Sequence, residues 1–408
     1  MLNSDQDFVG RRIIHDQRAT GRKTGTQPTM TQITSPPRVR ARRNNAHQFN
    51  LMVAGHAFSG KTAYIKTLYD TLDIKAICPD DGEQVTEILP PDDITAPTAS
   101  AARIEFEIEQ PGERISLRII DTPGLPIPRN IHKDQDHNEK HVKVAKPFVT
   151  SLVSYLEAQF EATLLEESKV RRNPKSPDFQ IHACLYFLDP QVCFACRGIT
   201  AIDRYALEQL CSRVNVIVCF AKADLLTVRR LRTLRNLVVE DLARFGIPVF
   251  AFPEDPDVEY DKDAIELNEE LRAMLPFAIV NAEEPELEDD APVDDDASIR
   301  KTESPRILGR EYPWGIVEVQ NPSHCDFLRV KETLFITHLH ELKLLTRELY
   351  YEQWRTEKLL EVRTSVLNGS IDRRDSFATT LTAETVKTRN MEEEIADEMR
   401  ERRLKSDH

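Results

Sequence analysis

The sequence predicts an α/β fold in which a doubly wound, mainly parallel sheet carries helices on both faces. Short apolar runs of strand type alternate with helical stretches from Phe49 to Phe252. A glycine-bearing loop lies between the first apolar run and the first helix. Two further polar motifs directly follow later strands, which places them at the carboxyl edge of the sheet, where ligands bind in such folds.

The individual elements follow from the period of the apolar residues. Besides the strand that begins at Phe49, the predicted strands are Ala102 to Ile108, Ile115 to Ile120, His182 to Leu188, Val214 to Phe220 and Pro248 to Phe252. The predicted helices are Lys61 to Leu72, Val149 to Glu166, Ala201 to Ser212, Val228 to Phe245, a long run to about Leu367, and a short charged helix from Glu384 to Leu404. Pro111 and Gly112 predict a hairpin between the second and third strands.

The composition argues against several classes of protein. A net charge of −14 argues against general nucleic-acid binding. No run approaches the ~18 apolar residues of a membrane span, and the start lacks a signal-peptide pattern, so we expect a cytoplasmic chain. The seven cysteines form no spaced framework, as in a reducing compartment. Cys193 and Cys196 are either an isolated metal or redox pair or two ordinary thiols.

The stretch GHAFSGKT, Gly55 to Thr62, has the spacing of a phosphate-binding loop. Its glycines let successive backbone N–H groups turn toward one anion, and the following helix directs its positive N-terminus at the same place. Lys61 is predicted to contact the outer phosphates, and the Thr62 hydroxyl to bind Mg²⁺. The predicted contact residues are Gly55, Ser59, Gly60, Lys61, Thr62 and Ala63. The alternative is an ordinary strand–helix turn.

Two later motifs indicate which nucleotide the loop would hold. In DTPG, Asp121 can hold Mg²⁺ through a water, while the Gly124 N–H contacts a γ-phosphate. In AKAD, Asp224 can accept hydrogens from both N1 and the exocyclic amine of guanine, a pair that adenine lacks. Lys222 can lay its aliphatic stem over the purine ring. Each tetrapeptide is also common in turns, with Asp224 as a helix cap, but the order and spacing favour GTP or GDP with Mg²⁺.

The chain resembles the septin family from about Phe49 to Leu359. The most specific likeness is GREYPWGIVEVQNPSHCDFLRVKETL, Gly309 to Leu334, which looks like the unique element that septins carry after their GTP-binding domain. The helix Thr337 to Arg355, the segment Tyr155 to Ser168 and the AKAD tetrapeptide are similar as well. The resemblance implies a Ras-like P-loop GTPase sheet with this element and C-terminal helices appended. It also implies polymerisation through a nucleotide-side surface and a terminal-helix surface.

Residue roles follow from the same resemblance. Arg310 would reach the guanine, and Trp314 would lie in the nucleotide-side interface or, alternatively, pack in the core. The base loop, usually Gly-Ser, reads Asn281-Ala282 here, but a backbone N–H remains available to guanine O6. The stretch that corresponds to the phosphoinositide-binding basic run of septins contains Arg38, Arg40, Arg42 and Arg43. Its alternative role is that of a solubilising tail.

Hydrolysis is the least determined property. A threonine in the first switch positions the attacking water in active septins, and Thr98 falls at that position, with Thr95 three residues away. Pro97 precedes Thr98 in a loop of small residues, where a threonine is often only a loop residue. The segment after DTPG departs from the family pattern, and the long C-terminal coiled coil of many septins is missing. We therefore expect hydrolysis to be slow or absent.

The predicted domains follow the composition. They are a disordered basic tail (1–47), a P-loop GTP-binding domain (48–282), an acidic disordered insertion (283–305), the septin-type element with the terminal helix (306–367) and a polar tail with a short helix (368–408). The predicted function is that of a septin-like subunit in cytoskeletal hetero-oligomers or filaments at the cell cortex or division site. A monomeric switch GTPase, a P-loop kinase or ATPase and a pseudo-GTPase scaffold are the alternatives.

Overall fold

The structure is a computed structural model that describes residues 47–72, 74–75, 102–110, 113–127, 135–171, 176–253, 262–283 and 308–367. Within these ranges the strands of the main sheet are β1 (His47–Gly55), β2 (Ile74–Lys75), β3 (Ala102–Gln110), β4 (Glu113–Asp121), β5 (Ala183–Leu188), β6 (Asn215–Phe220) and β7 (Phe277–Ala278). Their order is β2-β3-β4-β1-β5-β6-β7. The five neighbouring strands β4, β1, β5, β6 and β7 are parallel to one another, whereas β3 runs antiparallel to β4 and to β2. The α/β fold with a mainly parallel sheet is confirmed.

The helices lie on both faces of this sheet. They are α1 (Lys61–Thr71), α2 (Gln135–Ser168), α3 (Pro190–Cys196), α4 (Ala201–Leu210), α5 (Val228–Phe245), α6 (Lys262–Met274), α7 (Phe327–Glu332), α8 (Leu339–Leu345) and α9 (Glu352–Leu367). Two π-helical segments, Thr333–Thr337 and Thr346–Tyr351, join α7, α8 and α9 into the predicted long terminal run. No helix of the described ranges has the length and apolarity needed to cross a membrane.

Two cores, one on each face of the sheet, follow from the alternation of side chains along the strands. In β1, Phe49, Leu51 and Val53 pack into the first core, while Met52 and Ala54 pack into the second. The first core also contains apolar residues of the terminal helices, such as Phe327, Leu334 and Leu342. The terminal helices are therefore packed on the nucleotide-domain sheet itself.

The short strands β8 (Gly309–Tyr312) and β9 (Gly315–Glu318) form a separate antiparallel hairpin. This hairpin is the first part of the aromatic segment that the sequence analysis singled out. Residues of opposite strands pair from Gly309 with Glu318 to Tyr312 with Gly315. Because side chains alternate along a strand, Arg310 and Tyr312 lie on one face of the hairpin.

Several predicted boundaries are confirmed and others are wrong. The hairpin of β3 and β4 and the helix Val228–Phe245 agree with prediction. Helix α2 begins at Gln135 rather than Val149, because the helix continues through Pro147, which sequence reasoning treats as a boundary. The predicted strand at Pro248 to Phe252 is wrong: Pro248 has no N–H to donate, and Phe252 turns the chain with a φ of 52°. Helices α3 and α6 were not predicted.

Candidate nucleotide-binding site

The three predicted motifs meet at the carboxyl edge of the sheet. The phosphate loop follows β1, Asp121 ends β4, and the AKAD turn follows β6. The base loop, which contains Asn281, follows β7. Since β1, β4, β5, β6 and β7 are parallel, all these loops leave the sheet at the same edge. The edge therefore gathers every described residue that the sequence predicted for nucleotide or metal binding.

Lys61 is buried in the phosphate loop, and its charge is retained. Its Nζ donates to the carbonyl of His56 at 2.8 Å and lies 3.5 Å from that of Gly55. Burial lowers the pKa of Lys61 to about 8, although the nearby charge of Asp121 acts in the opposite direction. At neutral pH the side chain is a desolvated cation, which is well suited to a phosphate.

Close backbone approach fixes the phosphate loop against the DTPG loop. A Cβ at Gly124 would lie 2.3 Å from the Cα of Ala57, so only glycine fits there. The N–H of Ala57 donates to the Leu125 carbonyl at 2.9 Å, and the N–H of Leu125 donates to the Gly55 carbonyl at 3.0 Å. Phe58 holds a φ of 59°, a region that favours glycine, and 59 % of its side chain is exposed. The loop thus keeps a strained, exposed aromatic residue where many such loops have glycine.

The two predicted metal ligands are adjacent. The Thr62 hydroxyl donates to Oδ2 of Asp121 at 2.6 Å. Both are hard oxygen ligands, the type that Mg²⁺ prefers. No group of three or more histidine, cysteine, aspartate or glutamate side chains suited to a metal occurs in the described part of the chain. The pair therefore offers two oxygen ligands of the kind that would hold Mg²⁺.

The carboxylate of Asp224, the predicted contact for guanine, is hydrogen-bonded through only one of its oxygens within the described residues. The Asp224 side chain is 1 % exposed, and its Oδ2 accepts from Nη1 of Arg310 at 3.0 Å and from the Tyr312 hydroxyl. Asp224 does not cap α5, because Thr227 has that role. Lys222 lies 3.6 Å from the Asp189 carboxylate. Arg310 thus contacts the predicted base-binding carboxylate, and its contact with guanine stays a prediction. The contact of Tyr312 with Asp224 was not predicted.

The base loop contacts the phosphate loop through a side chain. Nδ2 of Asn281 donates to the Gly60 carbonyl at 2.9 Å, and the backbone N–H of Ala282 donates to the Thr67 hydroxyl at 3.0 Å. Gly60 has a φ of 83°, and a Cβ there would lie 2.8 Å from Nδ2 of Asn281. Sequence reasoning assigned Asn281 only a backbone contact. Its side chain additionally connects the two halves of the site.

Three buried polar atoms at this edge have no hydrogen-bond partner within the described residues. They are Oγ of Ser59, Oδ1 of Asp224 and Oδ1 of Asn281. Folded proteins pair nearly all such atoms, since an unpaired one costs about 1–3 kcal/mol. They come from the phosphate loop, the AKAD turn and the base loop. A polar ligand that spans all three loops would supply the missing partners.

A buried ion pair lies behind the phosphate loop. Nε2 of His56 is 3.0 Å from Oδ1 of Asp203, and Nδ1 is 3.1 Å from the Pro126 carbonyl. Asp203 also accepts from the hydroxyls of Tyr186 and Thr200. Burial alone would lower the pKa of His56, but the charge and hydrogen bond of Asp203 outweigh it and raise that pKa. An acceptor at each ring nitrogen favours the protonated form of His56, which links the phosphate loop to α4.

Exposed apolar side chains occur on loops of this edge and on the hairpin. The indole of Trp314 is 81 % exposed and stacks on the Tyr312 ring, so the alternative that Trp314 packs in the core is wrong. The other large exposed apolar residues on the loops of this edge and on the hairpin are Phe58, Ile127, Leu225 and Ile316. These four residues and Trp314 are together called the apolar collar below.

The pair Cys193 and Cys196 lies on α3 as free thiols. Burial raises the pKa of Cys196 to about 11, with Asp203 contributing, and raises the pKa of Cys193 further above its ordinary value. Both thiols stay protonated at neutral pH, which favours the interpretation as ordinary thiols.

Thr98 and the four arginines Arg38, Arg40, Arg42 and Arg43 lie outside the described residues.

The chain was compared with protein-family models and with known proteins, and the matches belong to one family. Residues 45–368 match the family model of Septin. The chain is 35 % identical to cell division control protein 11 of Saccharomyces cerevisiae over 76 % of this chain and 66 % of that protein. It is 33 % identical to septin homolog spn3 of Schizosaccharomyces pombe over 76 % of this chain and 72 % of spn3. Septin-5 of Homo sapiens is 30 % identical over 79 % of this chain and 76 % of Septin-5.

Solved structures give a related result. The crystal structure of Cdc11 from Saccharomyces cerevisiae aligns with a TM-score of 0.44 at 25 % identity, covering 76 % of this chain and 99 % of that one. The septin GTPase domain from Chlamydomonas reinhardtii aligns with a TM-score of 0.47 at 23 % identity and the same coverage. The match to the family model and the sequence identities show that the chain belongs to the septin family, whose members are guanine-nucleotide-binding proteins of the cytoskeleton.

Proposed function

We propose that this chain is a guanine-nucleotide-binding subunit that assembles with other septin-like subunits, with slow or absent GTP hydrolysis. The observation that carries the proposal is the set of unpaired buried atoms of Ser59, Asp224 and Asn281. They lie at both ends of one site, beside the cation of Lys61 and the carboxylate of Asp224. A guanine nucleotide has phosphates for the first end and an N–H edge for the second.

Each residue has a defined task in this proposal. Lys61 and the N-terminus of α1 bind the phosphates, and Asp224 accepts from the guanine edge. Thr62 and Asp121 hold Mg²⁺, which neutralises phosphate charge when bound. The remaining predicted contacts, from Gly55, Ala63, Gly124 and Lys222, are kept as parts of the same site. Thr98 remains the predicted positioner of the attacking water.

Assembly is supported by the apolar collar. Exposed large apolar side chains clustered at one edge are typical of a protein interface rather than of a monomer surface. The collar residues lie on the phosphate loop, beside the AKAD turn, after the DTPG loop and on the hairpin, so a partner that covers them would also cover the nucleotide. We place the subunit in filaments or hetero-oligomers at the cell cortex or division site. The four arginines between Arg38 and Arg43 would add contacts to anionic phosphoinositide headgroups.

Nucleotide content is the test of this proposal. Purified full-length protein is denatured, and the released nucleotides are separated by chromatography. About one GDP or GTP per chain is expected, with GTP alone indicating that the subunit does not hydrolyse it. Lys61→Ala should lose the bound nucleotide. Empty wild-type protein that also fails to bind added GDP would contradict the proposal, as would equal affinity for ATP.

A further inference from the structure

The carboxylate of Asp224 is asymmetric in its hydrogen bonding. Oδ2 accepts from both Arg310 and Tyr312, whereas Oδ1 is buried without a partner among the described residues. The two donors come from alternate positions of β8, which face the same side of the hairpin. Oδ2 is thus held by the protein, and Oδ1 is open to a ligand donor. Because a carboxylate oxygen has two lone pairs, Oδ2 can also accept from a ligand when Arg310 turns away.

The two donors differ in rigidity. The Arg310 side chain is 35 % exposed and has several rotatable bonds, so it can turn to a ligand and leave the carboxylate. Tyr312 has only two side-chain torsions, and its ring is stacked on Trp314, with 5.1 Å between the centroids and 6° between the planes. The phenol is therefore the donor that stays in place when a nucleotide binds.

The phenol also remains a donor at every relevant pH. Burial, together with the hydrogen bond to and the charge of Asp224, raises the pKa of Tyr312 to about 12. Tyr312 keeps its proton where nucleotide binding is measured. An acceptor at this position would repel the carboxylate, and a missing donor would let it rotate.

We propose that Tyr312 is a specificity-determining residue, which aims the Asp224 carboxylate at the guanine edge. The inference rests on the proposed function and adds a positioning role to it. Guanine presents N1–H and the 2-amine side by side, while hypoxanthine presents N1–H alone. Only a carboxylate held in the right plane gains from the second donor. The hydroxyl of Tyr312 should therefore affect the preference for guanine more than the affinity for nucleotides in general.

The test compares GDP with inosine diphosphate, which lacks only the 2-amine. Calorimetric affinities of both are measured on the full chain, stripped of nucleotide, for wild type and Tyr312→Phe. Phenylalanine keeps the stacking on Trp314 and removes the hydroxyl. The ratio of the two affinities should fall about tenfold, the effect of losing one hydrogen bond to a charged group. In an Asp224→Ala background the same change should have no further effect on the ratio.

Tyr351→Phe is the matched control. The hydroxyl of Tyr351, in the terminal helices, donates to Glu167 of α2 at 2.7 Å, so this variant also loses a tyrosine–carboxylate bond. Its nucleotide ratio should equal that of the wild type. If Tyr312→Phe did not fold, Tyr312→His, which keeps an aromatic N–H donor, would be compared with Tyr312→Leu, and only the histidine should retain the ratio.

The outcomes separate the two proposals. An unchanged ratio in Tyr312→Phe, or equal losses for both nucleotides, would overturn the role of Tyr312 while leaving guanine binding intact. Wild-type protein that binds neither nucleotide would instead overturn the proposed function. A reduced ratio in Tyr351→Phe would show that the readout reports general loosening, and would also count against Tyr312.

Discussion

The two edges of the main sheet both bury polar side chains, but within the described residues they differ in how completely these side chains are paired. At the amino edge, Nδ2 of Asn215 donates to the carbonyls of His182 (2.8 Å) and Leu342 (3.0 Å). Nδ2 of Asn50 donates to the carbonyls of Asp178 and Gln180, each at 2.7 Å. At the carboxyl edge, Ser59, Asp224 and Asn281 each keep a buried atom without a partner within the described residues.

The difference separates structural from functional burial. At the amino edge, Asn215 connects β6 to α8, and Asn50 connects β1 to the segment before β5. These hydrogen bonds stabilise the folded chain whether or not a ligand is present. The unpaired atoms at the carboxyl edge make the folded chain less stable, and hydrogen bonds from a bound ligand would offset that cost. Substitutions at the amino edge should therefore change the free energy of unfolding, and those at the carboxyl edge should change nucleotide binding.

The largest expected effect is on binding at the carboxyl edge. Asp224→Ala removes both acceptors of the guanine edge, and GDP binding should weaken by about 3–4 kcal/mol, or several hundredfold. Affinity for ATP should not fall in parallel, so the guanine preference disappears. Calorimetric titration measures both, with the exposed Asp263→Ala on α6 as the control. Undiminished GDP affinity in Asp224→Ala would contradict the assignment of the base end.

The next effect is on stability at the amino edge. Asn215→Ala removes the buried amide that donates to the carbonyls of His182 and Leu342, which then keep the Thr346 hydroxyl as a donor. With these two hydrogen bonds lost, the free energy of unfolding should fall by about 2–3 kcal/mol. Urea denaturation of nucleotide-free protein measures the loss. Asn236→Ala, at an exposed position of α5, should change it little. The GDP affinity of folded Asn215→Ala should match the wild type; a weakened affinity would mean that the two edges are not independent.

The comparison extends to two buried histidines with opposite pKa shifts. At the amino edge, Nδ1 of His182 accepts from the Asn50 N–H at 2.9 Å. Burial lowers the pKa of His182, although Asp178 acts in the opposite direction. Unfolding exposes an imidazole that binds a proton below pH ~6.5, so stability from His182 is lost as pH falls below that value. At the carboxyl edge the raised pKa of His56 gives stability that is present below pH ~6.5 and lost as pH rises through the raised pKa.

Urea unfolding between pH 5 and 9 separates the two histidines. Each histidine changes the free energy of unfolding by at most about 1.4 kcal/mol per pH unit, which is the limit for the binding of one proton. His182→Gln should flatten the acid side of the stability profile, and His56→Gln should flatten the neutral-to-alkaline side. Identical profiles for the two variants would contradict the opposite pKa shifts of His56 and His182.

Local patterns allowed much of this structure to be predicted from the sequence. Apolar periodicity located the principal parallel strands, and the spacing of Gly55, Lys61 and Thr62 identified the phosphate loop. Contacts between distant segments could not be found in this way. The ion pair of His56 with Asp203 and the bond of Asn281 to Gly60 depend on how loops meet at the sheet edge. The contact of Tyr312 with Asp224 could have been partly predicted. Tyr312 lies two residues after Arg310 on a strand, and this spacing places both side chains on one face.

The smallest expected effect concerns Asn281, which links the two halves of the carboxyl edge. Asn281→Ala removes the bond to the Gly60 carbonyl, and GDP dissociation should become about fivefold faster, as expected for about 1 kcal/mol. Release of a fluorescent GDP analogue into excess GDP measures the rate, with Asn236→Ala as the control. Stability without nucleotide should stay close to the wild type, because Asn281 joins two loops rather than core elements. An unchanged release rate would mean that the phosphate loop and the base loop hold the nucleotide independently.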